Sequence, residues 1–176
     1  MIDFLSNAIN CLRDFNIYSI IVRLFLATFL SAFIGFERSR MGRAAGLRTH
    51  ILVCLGATIA SMTGLYLQIY ANAEGDVTRI AAQIVSGIGF LGAGVIIKDN
   101  HKNKVKGLTT AATLWCVAAI GVLCASGLLI EASVGTLLVL ISNLILRLVS
   151  QFIMNKMKEN AKEKYTINIT CLKDKE

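Results

Sequence analysis

Five long apolar blocks organise the chain, at residues 19–36, 47–71, 80–97, 108–126 and 129–154. Each is close to the roughly 20 residues that a helix needs to cross a hydrocarbon layer about 30 Å thick. The last two blocks are almost continuous. Between Leu108 and Met154 the charged residues are Glu131 and Arg147. One helix of that length would run about 70 Å at 1.5 Å per residue, so the chain must turn. "CASGLLIEAS", around Ser126, Gly127 and Glu131, is the place for it. Ahead of the blocks, Ile2, Leu5, Ile9 and Leu12 fall on one helical stripe of residues 1–14, with polar residues opposite. That pattern predicts a short amphipathic helix lying in the membrane interface. Behind the blocks, residues 157–176 form a charged tail. There Tyr165, Ile167, Ile169 and Cys171 alternate with Thr166, Asn168 and Thr170. Such alternation predicts a strand, which needs a partner chain or further strands to be stable.

Composition sharpens the assignment. The chain has 176 residues, 55% of them hydrophobic and none of them proline, with a mean hydropathy of +0.65. A soluble domain reaches about 45–50% apolar residues only when glycine is counted. The expectation is an all-α integral membrane protein of five transmembrane helices, with a membrane domain over 1–156 and a tail over 157–176. The net charge of +7 is concentrated in loops. One loop carries Arg38, Arg40, Arg43 and Arg48, and another carries Lys98, Lys102, Lys104 and Lys106. From Lys156 to the end the chain carries six lysines, whereas the opposite side carries only Arg13 and Arg79. The positive-inside rule then places the N-terminus outside and the C-terminus in the cytoplasm. Short basic loops of this kind attract anionic lipid and offer no groove for nucleic acid. The five cysteines form no C-x-x-C pair, so they read as small packing residues rather than a disulfide or zinc framework.

"SGIGFLGAGVI", residues 86–96, spells G-x-G-x-x-G through Gly87, Gly89 and Gly92. A dinucleotide fingerprint also needs a preceding strand and an acidic residue about 20 positions on. This stretch lies inside an apolar block, and no acid occupies that zone. The membrane reading is that Ala82, Ser86, Gly89 and Ala93, with Gly92 beside them, make a small-residue stripe for close helix packing. The extra glycines leave open an unwound segment lining a substrate site.

Polar residues at or within the blocks are the candidate functional groups, because such residues are costly in a membrane. Glu37 and Arg38 end the first block, where a local ion pair competes with a role at a cytoplasmic binding mouth. Arg48, Thr49 and His50 enter the second block. His50 shares a helix face with Cys54, but two donors make a poor metal site. Asp76 and Arg79 open the third block, as a helix cap or an ion pair. Gln83 needs a partner inside the bilayer, and Thr109, Thr110 and Thr113 either bond back to their own helix or meet it across the bundle. Arg23 reads as a side chain reaching back to the outer interface. The chain contains no nucleophile–base set, paired acids or metal cluster, so neither an enzyme nor a cofactor is expected. "GLRTHILV" and "GLTTAATL" open the second and fourth blocks alike, a short repeat carried by Gly46/Gly107, Leu47/Leu108 and Thr49/Thr110.

Three collinear motifs, "GFERSRMGRAAGLRTHILVCLGA", "TRIAAQIVSGIGFLGAGVI" and "VKGLTTAATLWCVAAIG", resemble the membrane domain of the MgtC/SapB family over roughly residues 20–145. The resemblance implies a bacterial cytoplasmic-membrane protein with about five spans. It also implies a link to growth in low magnesium and to survival inside host cells. The family role it carries is regulation of other membrane proteins, so the partners implied are membrane proteins, with a homo-oligomer as a further possibility. Longer members carry a soluble C-terminal domain. The competing class is a transporter or channel for an ion or small solute. A transporter requires a polar midplane cavity at Gln83, the threonines and an unwound glycine segment. An interaction protein requires a closed core and an exposed small-residue groove.

Overall fold

The computed structural model describes residues 15–70, 76–99 and 104–173. The elements are α1 (Ile17–Arg40), α2 (Leu47–Tyr70), α3 (Val77–Val95), β1 (Ile97–Asp99), β2 (Lys104–Lys106), α4 (Leu108–Ala125) and α5 (Leu129–Lys173). Five helices are long and apolar enough to cross a membrane, matching the five blocks in order. The amphipathic helix expected at residues 1–14 lies outside the described residues.

The chain divides into two units, the first ending at Val139. Within the first, α2 and α4 form the centre, and each touches more than one neighbour across close backbone contacts. A Cβ at Gly121 of α4 would lie 2.5 Å from the Cys54 carbonyl oxygen and 3.0 Å from Ala57 Cβ. Only a glycine allows that approach, and close approach is what drives helix association in lipid. Thr58 uses it, donating its hydroxyl both to Cys54 O of its own helix (2.8 Å) and to Gly121 O of α4 (3.1 Å). Ala118, Gly121 and Ala125, all buried, make the small stripe at this crossing. Gly35 does the same for α1, where a Cβ would lie 2.8 Å from Leu47 Cα and 3.1 Å from His50 Cβ. The second unit, from Leu140, is the remainder of α5.

Two expectations are corrected here, and one question that the sequence leaves open is answered. The third span stops at Val95 rather than residue 97, because Ile97–Asp99 pairs antiparallel with Lys104–Lys106. Gly107 closes this hairpin with φ +94°, packed so tightly on Val95 that a side chain has no space. The tail strand is absent: α5 continues helical through Lys173. Adding a residue to an existing helix is favourable, whereas a lone strand leaves its hydrogen bonds unmade. The glycine-rich third span is not unwound, and α3 is one unbroken helix.

The repeat has a structural counterpart. Gly46 and Gly107 each precede a helix, and their carbonyls accept the amides of His50 (3.2 Å) and Ala111 (2.9 Å).

Candidate functional site

The motif that joins α1 to α2 builds a buried polar cluster at the end of the bundle rich in basic loops. Arg38 Nε donates to Glu37 Oε2 at 2.6 Å, and the Arg38 side chain is only 3% exposed. Ser39 Oγ accepts the first amide of α2, Leu47 N–H, at 2.7 Å. That bond turns the chain so that His50, one turn later, points inward and is fully buried. His50 Nδ1 lies 2.7 Å from Gly46 O. A carbonyl can only accept, so Nδ1 carries the proton and Nε2 of the neutral ring is an acceptor. The charges of Arg38 and Glu37 both act on this imidazole. Glu37 Oε1, Arg38 Nη1 and His50 Nε2 are buried and make no hydrogen bond to another protein group among the described residues. Buried polar groups are nearly always satisfied. This cluster therefore has two acceptors and one donor available for a water molecule or a small polar group.

At the opposite end, Arg23 is buried rather than turned out to the interface, which corrects the sequence expectation. Its Nη1 donates to Ala125 O at 2.7 Å, and its guanidinium covers the Phe15 ring at 4.9 Å. The positive charge meets the C-terminal carbonyl end of α4, where helix dipoles favour a cation. On the same end, Asp76 caps α3. Its Oδ1 accepts the Thr78 hydroxyl at 2.6 Å and the Thr78 amide at 2.9 Å. Those two bonds, with a smaller contribution from Arg79, hold its carboxyl below the usual aspartate value.

The polar residues of the third and fourth spans do not converge. Gln83 is exposed on α3, as is Thr109 on α4, while Thr110 and Thr113 are buried. Thr113 bonds back to Thr109 O at 2.7 Å. Of the two alternatives for the threonines, Thr113 takes the bond back to its own helix rather than a meeting with Gln83. Arg48 and Thr49 are exposed at the start of α2, and Arg79 at the start of α3. Cys54 and Cys124 are buried free thiols, and Cys116 is half-buried. Among the described residues, no three His, Cys, Asp or Glu side chains gather into a metal-binding group.

The small-residue stripe is corrected most sharply. Ala82, Ser86, Gly89 and Ala93 are exposed, and a Cβ at Gly89 would meet nothing within 4 Å. Only Gly92 is packed, with its Cβ position 3.4 Å from Ala111 Cβ. The stripe that closes the core is the one on α4. Ser39 and Gly121 went unnoticed in the sequence. Gly121 had a signal of equal quality in Ala118, Gly121 and Ala125, but spacing alone does not say which small stripe meets a neighbour.

Residues 24–152 match the model of the MgtC family. The chain is 46% identical over 152 residues to Protein MgtC of Brucella abortus, covering 85% of this chain and 61% of that protein. It is 43% identical over 157 residues to Protein MgtC of Salmonella typhi, covering 89% and 65%. An uncharacterized protein of Synechocystis is 43% identical over 158 residues, again covering 89% and 65%. The chain thus spans a little under two thirds of the length of these curated relatives. No solved structure matches it.

Proposed function

The chain belongs to the MgtC family, and we propose that it works in the bacterial cytoplasmic membrane by binding and modulating other membrane proteins, in adaptation to low magnesium or intracellular stress. The basic loops face the cytoplasm in this reading, as their charge requires. Relatives named MgtC support the link to magnesium and host survival through the family resemblance.

One observation carries the interaction reading: the exposed face of α3. Ala82, Ser86, Gly89 and Ala93 are small and exposed, with Gln83 also exposed near them. A smooth face lets a foreign helix approach closely, and an amide within the bilayer adds a directional hydrogen bond of about 0.6–2 kcal/mol. The channel or transporter reading draws on Gln83, the threonines and a broken third helix acting together. An outward Gln83, a back-bonded Thr113 and an unbroken α3 favour the interaction reading over it.

The test is complementation of growth at low magnesium in a strain lacking this chain. Gly89→Leu leaves the chain folded in the membrane but fails to complement, because it blocks the outer face. Full complementation by Gly89→Leu, or solute flux through the purified chain in liposomes, contradicts the proposal.

A further inference from the structure

Helices α2 and α3 touch closely at Gly64, where the end of the Ile80 side chain fills the space that a Cβ would take. Towards the basic end they leave a groove of about 500 Å³. Its walls are Leu52, Val53 and Ala57 on α2 and Ile84, Ile88 and Leu91 on α3. Two glycines hold it open. Gly56 and Gly87 both line it, and a Cβ at either would meet nothing within 4 Å. Arg48 and Thr49 also line it, and among the described residues they are its only polar lining side chains. Gly87 therefore has a use that neither the nucleotide fingerprint nor the outer stripe supplies.

We propose that this groove is a specific site for one anionic phospholipid, with an acyl chain between α2 and α3 and its phosphate at Arg48 and Thr49. The volume lies within the range of about 300–1,000 Å³ typical of ligand sites. The apolar length suits a hydrocarbon tail. The closed Gly64–Ile80 end suits a tail that enters from one leaflet only. The guanidinium and hydroxyl suit a phosphate, since arginine engages phosphate oxygens in a planar fork. Among the described residues, no acidic side chain lines the groove to oppose a negative headgroup. Exposed Arg40, at the end of α1, and Arg43, in the loop after it, add to the same positive field. The site uses a different face of α3 from the one assigned to partner binding, and its test is independent of that assignment.

Native mass spectrometry of the full chain, delipidated in neutral detergent and offered equal phosphatidylglycerol and phosphatidylcholine, tests the site. The parent binds one phosphatidylglycerol in preference to phosphatidylcholine, by about fivefold for a single surface charge. Arg48→Gln brings the two lipids to parity. Gly87→Leu fills the groove and loses both, while Gly89→Leu on the outer face binds like the parent. Should Gly87→Leu not fold, Gly56→Leu fills the same space from α2. Equal binding of both lipids by the parent overturns the headgroup assignment. Undiminished lipid on both filled variants overturns the groove. A parent dimer without lipid that either filled variant dissociates also overturns the proposal, and assigns the groove to a second copy of the chain.

Discussion

Arg23 Nη1 lies 2.7 Å from the carbonyl oxygen of Ala125, tying the first membrane helix to the C-terminal end of the fourth across 102 residues of sequence. A hydrogen bond to a charged group is worth about 1.5–3 kcal/mol. Arg23→Met, which keeps the apolar stem but removes the donors, should lower stability by that order. Denaturant unfolding in detergent measures it. An unchanged midpoint would mean that the bond contributes nothing net.

The Glu37–Arg38 pair predicts an asymmetry. Removing one member of a buried pair leaves the other charge uncompensated, at a cost of about 3–5 kcal/mol. Glu37→Gln should therefore destabilise strongly, and Arg38→Met in the same chain should recover part of the loss. A double-mutant cycle reads the coupling. Additive effects of the two substitutions would show that the pair is not a unit.

Gly121 and Gly89 make an internal comparison. Both sit in small-residue stripes, but only Gly121 has another helix against it. Gly121→Val should cost about 1–3 kcal/mol through overpacking, while Gly89→Leu should leave the melting temperature of the isolated chain near that of the parent. Thermal melts of the two variants in detergent decide. Equal losses would contradict the packing described here.

That comparison marks the limit of what the sequence discloses. The number and order of spans were legible because apolar length is a one-dimensional property. The turn before Leu129 was legible because a 47-residue helix that is apolar almost throughout would overrun the hydrocarbon layer. Which face of α3 is buried was not legible, since Ala82–Ala93 and Ala118–Ala125 carry the same spacing and only the neighbours differ. The Glu37–Arg38 pair was readable from adjacency. Its link to His50 was not, because it depends on Ser39 capping a helix eight residues away. The β1–β2 pairing was also missed, although Ile97 and Val105 flank a lysine-rich loop with Asp99 and Asn100.

Asp76 gives the pH dependence. Its folded-state pKa is depressed by the Thr78 hydroxyl and amide. Its contribution is therefore present above the unfolded value, about 3.9, and is lost as pH falls through the lower folded value. Asp76→Asn should melt below the parent at pH 7, and the gap should shrink as the pH is lowered from about 4. A gap that is constant over that range would show that the carboxylate charge has no part in the cap.

The central claim is that the outer face of α3 meets another protein. A photoreactive amino acid placed at Ser86 in growing cells tests it most directly, with Ile59, exposed on α2, as the control. The account predicts discrete protein adducts from position 86 that Gly89→Leu abolishes, and lipid adducts alone from position 59. Lipid adducts alone from both positions would contradict it.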